Sequence, residues 1–358
     1  MVFSSRLKQL TEYISKDSGV LINSEVNRFY FTGFKSSFGY LLITESTVKF
    51  FTDSRYAVDA YVNIPENIEV EIVDSMSCYS LIASAVKKAG ITSLGIEESY
   101  LTAREAQVIR ANFGTQLKFY DISPIIASMR AIKSKDELSA MKASAEICDN
   151  VFSIIVKKIR YNMTEIDLAI EIEYQLRLAG ADGTSFDTIC AFGVNSSKPH
   201  AHPTPNKLEK GDMILLDFGC VKNGYCSDFS RTLAFFQIKP ELKRIYNIVL
   251  GAQRHAINAI KAGMYTREAD SFAREFIKAN GYGDEFTHAL GHGVGLEIHE
   301  APVVSKNSDE MLKNNMTVSC EPGIYLNGIG GVRIEDVIIV EDDKVTPLTS
   351  STKELIIL

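Results

Sequence analysis

The sequence predicts an α/β (α+β) protein of two domains. A mixed α/β unit occupies residues 1–125, and residues 126–358 form a domain with internal pseudo-twofold character, a sheet core and outer helices. Three observations predict this. Helical and strand-like patterns alternate up to about residue 123, a helix–helix–strands pattern then occurs twice, and each copy contains a hairpin with acids on apolar flanks.

In the first unit a polar amphipathic start leads into RFYFTGFKSSFGYLL (28–42). Its aromatic and β-branched residues around a glycine turn predict strands. STVKFFTDSRY (46–56) reads as a further strand running into a turn. SLIASAVKKAG (80–90) has helical spacing and a glycine stop, TSLGIEE (92–98) suits a strand, and TAREAQVIRAN (102–112) a second helix. The boundary falls in DISPIIASMRAIKSKDE (121–137), where a proline-containing stretch gives way to charged helix.

Beyond it, the segment starting at Asp136 aligns with the segment starting at Pro240. Leu138 meets Leu242, Met163 meets Met264, Thr164 meets Thr266 and Gly180 meets Gly281. Each copy reads as a long amphipathic helix, a threonine N-cap, a second helix and a glycine stop. Strand-rich sequence follows each, over 186–235 and 286–341.

Composition narrows the function. The 358 residues, 46% hydrophobic and 23% charged, suffice for two cores. A net charge of −7 without a long basic run argues against a nucleic-acid partner. No segment has the roughly 18 apolar residues of a membrane span, and residues 1–25 lack the apolar run of a signal peptide. A cytoplasmic protein is expected. Cys78, Cys148, Cys190, Cys220, Cys226 and Cys320 form no CxxC pair and read as buried thiols.

The chemistry concentrates in two hairpins. In GDMILLDFGCVKNGYCSDFSRTLAF (211–235), Asn223-Gly224 is the preferred centre of a type I′ turn. That register sets Phe218 against Phe229 and Asp217 against Ser230. Asp217 and Asp228 then become diagonal neighbours on one face, about 7 Å apart at Cα. SCEPGIYLNGIGGVRIEDV (319–337) repeats the arrangement with Glu321 and Glu335. A loop of odd length centred near Gly328 makes these two face each other, whereas a two-residue Asn327-Gly328 turn slips them by one. THALGHGVGLEIHE (287–300) adds His288, His292 and His299 among glycines. Ionised carboxylates on apolar strands need a positive partner. Four carboxylates and an imidazole suit two divalent ions, about 3.5–4 Å apart, better than one. Oxygen-rich ligands favour Mn²⁺, with Co²⁺, Fe²⁺ or Zn²⁺ as alternatives. The paired acids of a glycosidase leave two carboxylates and the histidines unexplained.

Taken together, SSKPHAHP, LLDFG, CSDFSRT, GHGVGLEIHE, SCEPGIY and GVRIED resemble, in order and spacing, the metallopeptidases of the "pita-bread" fold. Within them the chain is most similar to the Xaa-Pro peptidases, prolidase and aminopeptidase P, over nearly its whole length. The resemblance implies a creatinase/prolidase-type domain followed by a catalytic domain with a curved antiparallel sheet. It places the five metal ligands on Asp217, Asp228, His292, Glu321 and Glu335, with Asp228 and Glu335 bridging. It implies hydrolysis of the Xaa-Pro bond of short proline-containing peptides by a water activated between both ions, with Glu321 as proton shuttle. His200 and His299 would steady the oxyanion or the proline carboxylate, with Arg333 in the same polar network. His202 and Tyr325 would line the substrate site, and a homodimer is the family's common assembly. Methionine aminopeptidases share the five-ligand core but usually lack the full N-terminal domain. Pita-bread proteins that bind peptides without catalysis have lost ligands that are all present here.

Overall fold

The computed structural model describes residues 2–74 and 76–358, apart from the side chain of Val2. It divides into two compact units, Met1–Met129 and Arg130–Leu358. Among the described residues no helix is long and apolar enough to cross a membrane.

The first unit is built on a six-stranded mixed sheet. Its spatial order is Glu69–Ile72, Val48–Thr52, Tyr40–Thr44, Ser18–Ile22, Ser93–Ile96 and Lys118–Asp121. Helices Cys78–Lys88 and Ala103–Phe113 form where their spacing predicts them. The segment 28–32 does not form a strand as expected; it lies in the helix Glu25–Thr32. Ser24 caps it by accepting the Asn27 N–H, and Gly33, at φ 73°, ends it. The deciding partner is remote in sequence. Fully buried Glu97 accepts the N–H groups of Asn23 and Ser24, the Ser24 hydroxyl and the Asn27 amide, so the carboxylate holds the helix start.

The second unit shows the repeat in its backbone. Helices Lys135–Lys158 and Glu165–Leu178 correspond to Pro240–Ala259 and Thr266–Ala279. In the first copy Leu208 donates to the Met163 carbonyl at 2.8 Å, and in the second Leu312 donates to that of Met264 at 2.8 Å. Gly180 and Gly281 end the second helices at φ 91° and 89°. Thr164 and Thr266 are not equivalent in the structure. Thr164 caps its helix by accepting the Asp167 N–H, but Thr266 does not cap. Tyr265 occupies the cap position, its N–H bonded to the Glu268 carboxylate at 2.8 Å, and Thr266 is the first helical residue and fully buried. The structural counterpart of Thr266 in the first copy is therefore Glu165.

Both hairpins take a register that places acids where a ladder is interrupted. Asn223 and Gly224 have φ of 53° and 85°, the positive pair a type I′ turn needs. Phe218 pairs with Phe229 and Asp217 with Ser230, as the turn predicts. The ladder resumes at Val221 and Cys226, leaving Gly219 and Asp228 in the gap. In the second hairpin Leu326 pairs with Gly330, so the loop has the odd length that faces Glu321 toward Glu335. Cys320 and Asp336 keep the same register in a separate sheet, and the two glutamates lie in the break between the sheets.

The copies are joined by a buried ion pair. Arg231, from the first hairpin, lies 2.8 Å from Asp336 of the second, and the side chains are 2% and 1% exposed. Lys353, Gln253 and Thr349 also donate to Asp336, at 2.7, 2.8 and 2.6 Å. Burial pushes the Asp336 carboxyl up, but Arg231 and then Lys353 outweigh it and hold it below the usual carboxylate range. Removing this acid strands a buried guanidinium. Asp336→Ala is expected to cost about 3–5 kcal/mol in urea unfolding at neutral pH. Because the folded-state pKa is depressed, the carboxylate's contribution is present in full above its ordinary value of about 4 and lost as pH falls through the folded value. The stability gap between parent and Asp336→Asn should accordingly narrow below about pH 4.

Candidate metal centre

Asp217 projects from the strand Met213–Phe218, and Asp228 from the gap of the same hairpin. Carboxylate oxygens of Asp217, Asp228 and Glu335 lie within 4.8 Å of one another, and the residues are 8%, 5% and 1% exposed. His292 comes from the short strand Gly291–Gly293. Its Nε2 lies 3.3 Å from Glu321 Oε1 and 3.6 Å from Asp228 Oδ2. The fold thus gathers all five expected ligand residues, with three acids in one cluster and the imidazole between Asp228 and Glu321.

Two close backbone approaches make room for this. A Cβ at Gly219 would lie 2.1 Å from the Ser227 carbonyl, and one at Gly291 would lie 2.0 Å from that of Ser319. Two serines then orient the glutamates. Ser230 donates to Glu335 Oε2 at 2.7 Å, and Ser319 donates to Glu321 Oε1 at 3.0 Å while accepting the His292 N–H at 3.0 Å.

The electrostatics are unbalanced. Burial first, and neighbouring acids second, push Asp228 and Glu335 well above the ordinary carboxylate range. Burial also raises Asp217, against the pull of Arg333. Burial pushes Glu321 up as well, but hydrogen bonding and charge from His292 bring it down to about 2. The same pairing, working against burial, brings His292 up to about 9. Among the described residues Asp217 Oδ1 and Glu335 Oε1 are buried without any hydrogen-bond partner. Such orphaned oxygens, in a site of four carboxylates and one imidazole, fit a divalent cation.

Arg333 is the one guanidinium lining the cavity among the described residues, and each of its three nitrogens is engaged. It is paired with Asp217, and it donates to Ser230 Oγ at 3.1 Å, the Pro199 carbonyl at 3.1 Å and Tyr325 Oη at 2.7 Å. Tyr325 in turn lies 3.0 Å from His288 Nε2. His288 lies in the glycine-rich run with no role expected of it, and its position four residues before His292 is the signal the sequence offers for it. His299 stacks edge-on against His292, with ring centroids 4.2 Å apart. His200 and His202 line the same cavity of about 370 Å³, with Phe186, Ile189 and Ile298 as its apolar wall.

Both parts of the chain are similar to known protein families. The profile of metallopeptidase family M24 matches residues 139–342, and that of the creatinase/prolidase N-terminal domain matches residues 6–132. The Xaa-Pro dipeptidase of Pyrococcus horikoshii is 36% identical, with 99% of each chain covered. The structure of an Xaa-Pro dipeptidase from Bacillus anthracis superposes with a TM-score of 0.94 at 40% identity, covering 99% of both chains. That of an X-Pro aminopeptidase from Thermotoga maritima gives 0.92 at 35% identity, covering 99% of this chain and all of the other.

The charge imbalance predicts a linked stability. Protein stripped with EDTA should melt at lower temperature than protein supplied with Mn²⁺, and the gain should grow with metal concentration, reaching about 2.7 kcal/mol at a hundredfold excess over Kd. Differential scanning calorimetry measures it; an unchanged melting curve would mean the acids are satisfied without a cation.

Proposed function

The chain belongs to metallopeptidase family M24, and from that premise we propose that it is a metal-dependent exopeptidase hydrolysing the Xaa-Pro bond at the N-terminus of dipeptides or short peptides. The carrying observation is the buried Asp217–Asp228–Glu335 cluster, with its orphaned oxygens beside His292 and Glu321. It lies in a chain that matches Xaa-Pro dipeptidases from end to end.

In this reading Asp217, Asp228, His292, Glu321 and Glu335 would hold two divalent ions, Mn²⁺ foremost. When bound, the ions supply Lewis acidity toward the scissile carbonyl and lower the pKa of water. Glu321, fixed by Ser319, takes the proton of the attacking water and delivers it to the leaving proline nitrogen. His200 and His299 face the cavity, where they can donate to the developing oxyanion. Arg333 serves mainly as orienter of Asp217, and Tyr325 acts through Arg333 and His288. His202 contributes to the substrate-facing wall. Six buried thiols suit a reducing cytoplasmic setting. A homodimer is the assembly proposed, to be measured by light scattering.

Metal-loaded protein is expected to cleave an Xaa-Pro dipeptide or an Xaa-Pro-Yaa tripeptide and to lose that activity on chelation. Absence of cleavage of both, in protein carrying its metal, would sink the peptidase reading. Asp228→Ala and Glu335→Ala should each lose metal together with activity, by more than about 100-fold. Elemental analysis showing parent metal content in either variant would overturn the ligand assignment.

A further inference from the structure

The loop carrying His200 and His202 is held by a carboxylate outside the metal cluster. Glu165, the first residue of the helix Glu165–Leu178, is fully buried. Its Oε1 accepts the Phe192 N–H at 2.7 Å and the Asn195 amide at 3.0 Å, with the Asn206 amide at 3.4 Å. Its Oε2 accepts the Thr204 N–H at 2.9 Å, the Thr204 hydroxyl at 2.5 Å and the Asn195 amide at 2.9 Å. Phe192 and Asn195 lie on the incoming stem of the loop, and Thr204 and Asn206 on the outgoing one. Between them, Pro199, His200, Ala201 and His202 line the metal cavity. The far side of the loop is tied to the strand Gly330–Arg333, by the Gly331 N–H to Ser196 Oγ at 2.9 Å and by Arg333 to the Pro199 carbonyl.

We propose that Glu165 is a positioning residue for the reaction, which sets the place of the His200 imidazole by clamping both stems of its loop. Every hydrogen bond the carboxylate makes is one it accepts, from an N–H or an O–H on the two stems. The chain contains its own control. The other copy has Thr266 at this place, its buried hydroxyl without a partner among the described residues. The loop segment that Thr266 faces, 308–310, contributes nothing to the lining of the metal cavity. Helix-starting geometry is thus achieved without the carboxylate, and the acid occurs where the loop carries cavity histidines.

The inference rests on the reading of His200 as a substrate-facing group, and the test separates the two. Glu165→Gln presents an amide NH₂ to a ring of donors and lets the stems slip. In the metal-loaded enzyme it should lower kcat/KM on an Xaa-Pro peptide by about 10- to 100-fold, with metal content equal to the parent's. The loss should fall on whichever of kcat or KM moves in His200→Ala, and in a His200→Ala background it should shrink to less than about threefold. Thr204→Val removes one donor to the carboxylate, together with the acceptor of the Asn206 N–H, without stranding a charge, and should lose about 2- to 10-fold in the same parameter even if Glu165→Gln folds poorly. Full additivity with His200→Ala, or parent kinetics in Thr204→Val, would overturn the clamp while leaving the peptidase reading intact. Parent kinetics in His200→Ala would remove the premise and the proposal together.

Discussion

Three buried carboxylates and a fourth, partly buried one face one another across the gaps of two hairpins, and much of the surrounding architecture follows from keeping that charge in place. Repulsion in a low-dielectric interior would drive such groups apart unless the backbone were over-determined. Three devices supply that rigidity. Glycines let strands approach closely enough to bring His292 and Asp228 into range. Ser230 and Ser319 fix the two glutamates. The Arg231–Asp336 pair locks the two copies of the repeat one residue away from Ser230 and Glu335. Each leaves the cluster unsatisfied in charge while rigid in geometry, the state in which an added cation gains most.

What was legible in the sequence was whatever local chemistry decides. The Asn223-Gly224 turn dictated one register, and alternation along the strands then placed Asp217 on the face of Asp228. The second hairpin was open between two registers because Asn327-Gly328 satisfies a short turn as well as it satisfies the longer one formed. Helices with their own caps and stops, such as Ala103–Phe113 with Thr102 and Glu105, were equally readable.

The misreadings share a cause. The helix Glu25–Thr32 carries strand-like residues, and its start is held by Glu97, some seventy positions away. Thr266 looked like a cap because it aligned with one that is; burial and the neighbouring Tyr265 decide otherwise. The engagement of Arg333 with Pro199, Ser230 and Tyr325 was likewise invisible, because those partners meet only after both hairpins are built. Long-range donors to a buried acceptor leave no periodic trace in a sequence, and Glu165 belongs to the same class.

The two copies of the repeat show how such remote acceptors become functional. Both preserve the backbone framework, down to the bonds that Leu208 donates to the Met163 carbonyl and Leu312 to that of Met264. Their side chains have separated at equivalent positions. The first copy places Glu165 beneath a loop whose histidines reach the cavity, and the second places Thr266 beneath a loop that does not. The second copy instead supplies His292 and the hairpin of Glu321 and Glu335, while the first supplies the two aspartates. A duplicated scaffold whose equivalent turns are held by backbone bonds can tolerate this divergence, since those bonds do not depend on the side chain at either position. Acid-bearing hairpins from both halves meet at one centre, and the loop bearing His200 and His202 is added from one half only. The two halves therefore contribute equal numbers of acids but different surroundings: the first adds His200, His202, Phe186 and Ile189 to the cavity lining, and the second adds His288, His292, His299 and Ile298.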